Sequence, residues 1–323
     1  MERWMPKDLL ERLSRTPLVC DGAMGTMLYA KGVYINRCYD EVNLTSPELV
    51  GEIHRAYVHA GAEVIETNSF GANPLKLARH GLEERIHEIN RRAAEIAKEA
   101  AATAVYVLGA IGPLGIRMEP WGPTSVAEAQ AFFEPQVKGL LEGGVDGFLL
   151  ETFGDVTEAR AAMEAVRNVA GDVPLLVQMT VDREGSSLYG TTPEAFGERL
   201  AAFGADAIGV NCSVGPHAML NVLERLRTVT DLPLTVQPNA GTPRAVDDRS
   251  LYLCTPDYLE KFARRFLDAG ARLLGGCCGT TPDHIRALAK AVKRSRATLV
   301  GGPSTTGAHA AVATKERPSQ DRR

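Results

Sequence analysis

Eight times along this 323-residue chain a short apolar run gives way to a permissive turn and then to a stretch with helical periodicity, and that alternation limits the possible folds more than any other feature. The apolar runs lie at 17–20, 64–67, 105–111, 147–151, 175–180, 207–212, 234–238 and 272–276. Each is short and apolar enough to be buried on both faces, which is how strands of parallel sheets read. Helices are predicted between them at 46–61, 84–101, 125–143, 156–169 and 193–203, from 216 onward, and at 256–269 and 282–293. The first has Ser46 in the capping position, Pro47 at the first helical position and Gly61 as its stop. In the second, Ile86, Ile89, Ala93, Ile96 and Ala100 recur on one face.

Eight strands alternating with eight helices in about 300 residues fit the α/β class as a single (β/α)8 TIM barrel. A doubly wound open sheet shares the alternation, but no Gly-rich dinucleotide fingerprint follows the first strand. The barrel is assigned to residues 1–300. Residues 301–323 carry Gly, Pro, Ser, Thr, Ala and charges without an apolar period, and are expected to be a flexible tail or linker.

Composition then removes several classes of function. Hydrophobic residues make up 45% and charged residues 24%, so the chain can bury a sizeable core. A net charge of -4 with both signs interspersed predicts no nucleic-acid and no membrane partner. No apolar run is long enough to cross a bilayer, and residues 1–15 carry charges throughout where a secretory leader needs an apolar segment. The expected location is cytoplasmic. The six cysteines are then more readily reduced, catalytic or metal-bound than members of a disulfide framework. Cys20, Cys38 and Cys254 lack any comparable Gly-flanked setting and are read as structural or incidental.

The other three cysteines stand apart. Gly275-Gly276-Cys277-Cys278-Gly279-Thr280 follows the run Arg272-Leu273-Leu274. Its glycines permit backbone dihedrals that can bring two adjacent sulfurs together, although a regular strand would send them to opposite faces. Cys212 ends Gly209-Val210-Asn211-Cys212, again directly after a predicted strand. Three thiolates suit a soft cation such as zinc, and a tetrahedral ion with three protein ligands keeps its fourth position for substrate. Each thiol is also readable as a small core hydrophobe, and a vicinal pair alone is a weak signal. Placement favours the metal: on a barrel, Asp21, Thr67, Asn68, Glu151, Cys212, Cys277 and Cys278 all fall at strand C-termini, the catalytic rim. Closure would make the eighth and first strands neighbours and set Asp21 beside the Cys pair.

Together these segments resemble the homocysteine S-methyltransferase family, the zinc-dependent homocysteine-binding domain of cobalamin-dependent methionine synthase and of betaine and S-methylmethionine enzymes. The resemblance is carried by Asp21-Gly22-Ala23-Met24-Gly25-Thr26, Glu66-Thr67-Asn68-Ser69-Phe70-Gly71-Ala72, Glu151-Thr152-Phe153, Gly209 to Cys212 and Gly275 to Thr280, in the family's order, over roughly residues 18–293. The stretch Gly112-Pro113-Leu114-Gly115, with residues 140–153, is most similar to bacterial proteins fused to a methylenetetrahydrofolate reductase.

The resemblance implies an enzyme that methylates the thiol of homocysteine to give methionine, with Zn2+ on Cys212, Cys277 and Cys278. It further implies Asp21 and Glu151 on the substrate amino group, the backbone near Gly22 and Thr67 at the amino-acid end, and Asn211 orienting the metal shell. By themselves Asp21 reads equally as a turn acid, Glu151 as the partner of a basic loop residue, Thr67 as a local backbone partner and Asn211 as a turn former. His217 and His284 follow the ligand turns but start helices leading away from the rim; His54, His59, His80 and His87 read as solvent-facing. Methylcobalamin from a separate cobalamin-binding module or protein is the implied donor, with a folate-reductase module as a further possible partner. S-methylmethionine and betaine are the alternatives. Betaine would need an aromatic enclosure, for which Phe70, Trp121 and Phe153 are the available rings. A reading of another class is a barrel with a closed structural zinc site that acts as a binding module.

Overall fold

The computed structural model describes residues 7–103, 105–246 and 249–301. Eight parallel strands form the barrel: β1 Leu18–Val19, β2 Val64–Glu66, β3 Tyr106–Ile111, β4 Gly147–Phe153, β5 Leu175–Met179, β6 Ala207–Asn211, β7 Leu234–Gln237 and β8 Ala271–Leu274. They pair in the order β1-β8-β7-β6-β5-β4-β3-β2. The ring is completed between β1 and β2 by the Cys20–Val64 bridge and by the Glu63 N–H, which donates to the Val19 carbonyl at 2.8 Å. The expected (β/α)8 barrel is therefore the observed fold.

Strand periodicity divides the core. Val19, Ile65, Val107, Phe148, Val177, Ile208, Val236 and Leu274 point outward and pack under the helices. Inside, the lower layer is apolar, with Leu18, Val64, Tyr106, Leu149, Leu176, Ala207 and Leu273 in one cluster. Leu9 and Leu13 of helix Lys7–Arg15 join that cluster from below. The charge pattern of the N-terminus gave no expectation of this helix. Nearer the ends of the strands the inward positions become Cys20, Glu66, Gln178, Asn211 and Gln237, so the barrel interior turns polar toward the rim.

The strands begin in a repeated way. Gly61-Ala62-Glu63, Gly144-Val145-Asp146 and Gly204-Ala205-Asp206 each end a helix with a left-handed glycine and present an acid at the strand entrance. Asp146 accepts from the Val107 N–H and Asp206 from the Leu175 N–H, both at 2.8 Å, which fixes the register of neighbouring strands.

Helix Pro47–Ala60 starts and stops where expected, although Ser46 makes no side-chain capping bond. Helix Val126–Glu142 has the full capping box, with Ser125 and Glu128 bonding each other's backbone N–H. The last helix, Pro282–Gly301, runs past the expected end at 293. The loop after β1 contains helices Gly25–Ala30 and Val42–Thr45, and the long segment after β7 pairs Arg244–Val246 with Arg249–Leu251, none of which has a regular sequence period. The tail expected beyond 301 lies outside the described residues. No described helix is long and apolar enough to cross a membrane.

Candidate active site

The rim of the barrel opens into a cavity of about 490 Å³ that is lined by Asp21, Gly22, Thr67, Glu151, Cys212, Cys277 and Cys278, among others. Of the expected site residues only Asn211 does not line it, and Asn211 lies directly beneath.

The three thiols converge from two distant segments. Their sulfurs all lie within 4.8 Å of one another, with Cys212 and Cys278 at 3.8 Å. Loop stitching accounts for this. The Cys212 N–H donates to the Gln237 carbonyl (3.1 Å), the Cys277 N–H to the Pro238 carbonyl (2.9 Å) and the Ala240 N–H to the Cys278 carbonyl (2.9 Å), so the loop after β7 joins both thiol segments. Cys212 and Ser213 are held in the left-handed region at φ 60 and 59, which non-glycine residues reach only at a cost of about 1–2 kcal/mol each. On the other side the Gly276 N–H donates to the Asp21 carbonyl at 2.9 Å, so β1 and β8 bring Asp21 to the Cys pair as closure required.

The donor set fits a soft cation. With three thiols this close, Cys278 is pushed down to about 3 by hydrogen bonds from Cys212 and Cys277, with the Tyr252 hydroxyl adding another. Cys277 is pushed up by its hydrogen bonds with Cys212 and Cys278 and by burial. A divalent cation among them would let all three sulfurs be anionic.

Carboxylates form the floor. Asp21 is 3% exposed; its Oδ2 accepts from the Glu66 N–H at 3.0 Å and its Oδ1 faces the Cys20 thiol at 3.7 Å. Glu151 Oε2 accepts from Asn211 Nδ2 at 3.0 Å. Burial, then the charge of Glu66, pushes both Asp21 and Glu151 well above the usual carboxylate range. Asn211, itself 1% exposed, also donates to Thr152 Oγ1 (2.8 Å), accepts from the Thr152 N–H (2.7 Å) and approaches Cys277 Sγ (3.9 Å). It therefore links a thiol to a carboxylate.

Gly22 has no room for a side chain: a Cβ there would lie 2.7 Å from Thr280 Oγ1 and 2.9 Å from the Tyr57 ring. Tyr57 and Thr280 in turn fasten the turn, through Tyr57 Oη to the Ala23 carbonyl (2.7 Å) and the Ala23 N–H to Thr280 Oγ1 (3.1 Å). Thr67 lines the cavity, but its N–H goes to the Leu108 carbonyl (3.0 Å) and its hydroxyl bonds Ser69 (2.6 Å) and the Ala110 N–H (2.9 Å), all of it bonding within the barrel wall.

Several expectations need correction. Cys20 is not incidental: it is buried and donates to Glu66 Oε1 at 3.4 Å as part of the carboxylate floor. His54 does not face solvent; it is fully buried with neither ring nitrogen hydrogen-bonded. His59, His80 and His87 are exposed as expected, with His80 at the outer cavity wall. His284 bonds Thr281 and the Cys254 carbonyl and His217 packs edge-on against Phe262, so neither faces the thiols. Phe153 is buried against Phe133 and Trp121 is 70% exposed outside the cavity lining, which leaves Phe70 alone of the three rings. Glu66, Gln237 and Tyr252 were not singled out. Glu66 sits beside Thr67 at a strand end, the signal that could have found it; Gln237 ends β7 in the same way, and Tyr252 had no local signal.

A family model for homocysteine S-methyltransferase matches residues 18–292. The chain is 34% identical to methionine synthase from Mycobacterium leprae (strain TN) over 97% of its own length but only 28% of that protein's. It is also 34% identical to methionine synthase from Mycobacterium tuberculosis, over 94% of its length and 27% of the relative's. The chain thus spans little more than a quarter of these relatives. Among solved structures it resembles the metallated form of the homocysteine methyltransferase MmuM from Escherichia coli, with a TM-score of 0.74 and 30% identity, covering 88% of this chain and 99% of that one. The chain belongs to the homocysteine S-methyltransferase family.

Proposed function

We propose that the chain transfers a methyl group to the thiol of homocysteine, forming methionine, with Zn2+ held by Cys212, Cys277 and Cys278. One observation carries this reading: three thiols from the loops after β6 and β8 meet in the same cavity as carboxylates that form no ion pair with any described cation. The first group suits a soft metal and a thiol ligand, the second an ammonium. Bound there, zinc supplies a Lewis acid that holds the substrate sulfur as a thiolate at neutral pH.

The protein's own residues do the rest. Asp21 and Glu151 receive the substrate ammonium, and the close-packed backbone around Gly22 holds the amino-acid end, with Thr67 shaping the wall beside it. Asn211 keeps Glu151 and Cys277 in fixed relation. The sulfur then takes the methyl group as the donor's bond to that carbon breaks, and the thiol proton leaves to solvent. Methionine, a neutral thioether, is a poor metal ligand and departs.

Methylcobalamin presented by a separate module or protein is the proposed donor. The relatives' far greater length supports this, as do exposed apolar residues in the rim loops, among them Tyr34, Ile35, Trp121, Leu188 and Leu253. Betaine is disfavoured, because Lys76 already sits over the Phe70 ring at 4.4 Å and would repel a quaternary ammonium. S-methylmethionine, a small donor that needs no further module, is the second reading, favoured by the match across 99% of a homocysteine methyltransferase chain no longer than this barrel.

The test is methionine formation by the zinc-loaded protein from homocysteine with methylcobalamin, S-methylmethionine or betaine. Activity with none of the three would sink the reading. In parallel, homocysteine should release a proton and add one sulfur to the zinc shell in X-ray absorption; an unchanged shell would indicate a closed structural site.

A further inference from the structure

We propose that Glu66 is a further substrate contact, a third carboxylate on the amino group of the bound amino acid, and that Gln237 is its positioning residue. This rests on the amino-acid reading above. Glu66 ends β2 two residues after Val64, so it points into the barrel above the apolar layer. Its Oε1 accepts from Gln237 Nε2 at 2.5 Å and from the Cys20 thiol at 3.4 Å. Its Oε2 has no hydrogen bond among the described residues, and Glu66 lines the cavity with Asp21 and Glu151.

The direction of the Gln237 amide is fixed from behind. Gln237 Oε1 accepts from Gln178 Nε2 at 2.7 Å, and Gln178 Nε2 also donates to Thr235 Oγ1 at 3.0 Å. The Gln237 NH2 is thereby committed to Glu66, since a flipped amide would set oxygen against oxygen at one end and NH2 against NH2 at the other. Gly275 makes room for this: a Cβ there would lie 2.8 Å from Cys20 Cβ and 3.1 Å from Gln237 Cγ. The chain Thr235–Gln178–Gln237–Glu66 crosses the barrel and ends at a carboxylate with one oxygen left over.

Charge gives that oxygen its use. None of Asp21, Glu66 and Glu151 has an ion-pair partner among the described residues, and Gln237 supplies a hydrogen bond without a charge. Burial pushes Glu66 above the usual carboxylate range. Lys76 at the cavity wall offsets part of the charge of Glu151 without forming an ion pair with any of the three, so carboxylates gathered in one cavity are a standing electrostatic cost that a bound ammonium relieves.

The test compares two ligands by calorimetry on the zinc-loaded full chain: homocysteine, and 4-mercaptobutyrate, which has the same thiol and carboxylate but no amino group. The native protein should bind homocysteine about tenfold to a hundredfold more tightly. In Glu66→Gln that ratio should shrink by about tenfold, with 4-mercaptobutyrate affinity retained. Gln237→Met should shrink it in the same direction, and adding Gln237→Met to Glu66→Gln should lower it no further, as expected of a residue acting through Glu66. An unchanged ratio in Glu66→Gln, or equal weakening of both ligands, overturns the contact. Additive effects of the two substitutions overturn the positioning role. A native protein that binds both ligands alike overturns the amino-acid reading itself, and with it this one.

Discussion

Replacing Asn211 with alanine removes three hydrogen bonds from one side chain: to the Thr152 N–H, to Thr152 Oγ1 and to Glu151 Oε2. Two neutral bonds at about 1 kcal/mol and one to a carboxylate at about 2 give about 4 kcal/mol, and water reaching the half-buried partners lowers this to about 2–3 kcal/mol. A Thr152→Gly background already lacks the Oγ1 partner, so Asn211→Ala should cost about 1 kcal/mol less there. Because Asn211 also lies 3.9 Å from Cys277 Sγ, zinc affinity should drop about tenfold or more. Urea unfolding of the four proteins in the cycle measures the first effect, and competition with a chromophoric chelator the second. If Asn211→Ala unfolds within about 0.5 kcal/mol of the native protein and binds zinc as tightly, the proposed link between carboxylate and thiols is wrong.

Three further outcomes are expected. Serine at Cys212, Cys277 or Cys278 should each abolish stoichiometric zinc binding in elemental analysis and lower methionine formation by more than about a hundredfold, and any variant that keeps both refutes its ligand role. Gly22→Ala should destabilise the fold by about 1–3 kcal/mol, because its Cβ would meet Thr280 and Tyr57, and should weaken homocysteine binding; native-like melting would show that the turn can yield. His54 is pushed down to about 4 by burial, so it stays neutral in the fold while an unfolded histidine titrates near 6.5. Its contribution is fully present above about pH 6.5 and is lost as pH falls toward 4, by about 3 kcal/mol in total. The buried carboxylates change stability in the opposite direction over the same range, so the difference between native protein and His54→Leu isolates the histidine, and parallel stability–pH curves would refute its neutrality.

The sequence made the barrel legible because each strand is an apolar run of its own with a turn at either end, and because left-handed glycines and helix caps mark the handovers locally. Ser125 with Glu128 and Pro47 with Gly61 are such markers, each decided within a few residues. The elements that escaped have no such marker. Helix Lys7–Arg15 is stable only because Leu9 and Leu13 plug a barrel floor built by residues up to Leu273, and the short helices after β1 depend on the rim around them.

The same division runs through the site. The thiols and Asp21 were readable because rare residue types at strand ends, on a fold whose strand ends share one rim, have few ordinary explanations. Glu66 and Gln237 were not, since a Glu in a strand and a Gln in another look unremarkable until closure sets them 2.5 Å apart across 171 residues. His54 failed for the reverse reason: its helix has polar neighbours, and only packing shows which face is inside. Residue identity and period thus determined the fold, the rim and the sulfur donors. Partner, charge balance and burial were decided by tertiary structure alone, because these depend on which side chains meet through space and how much water remains between them.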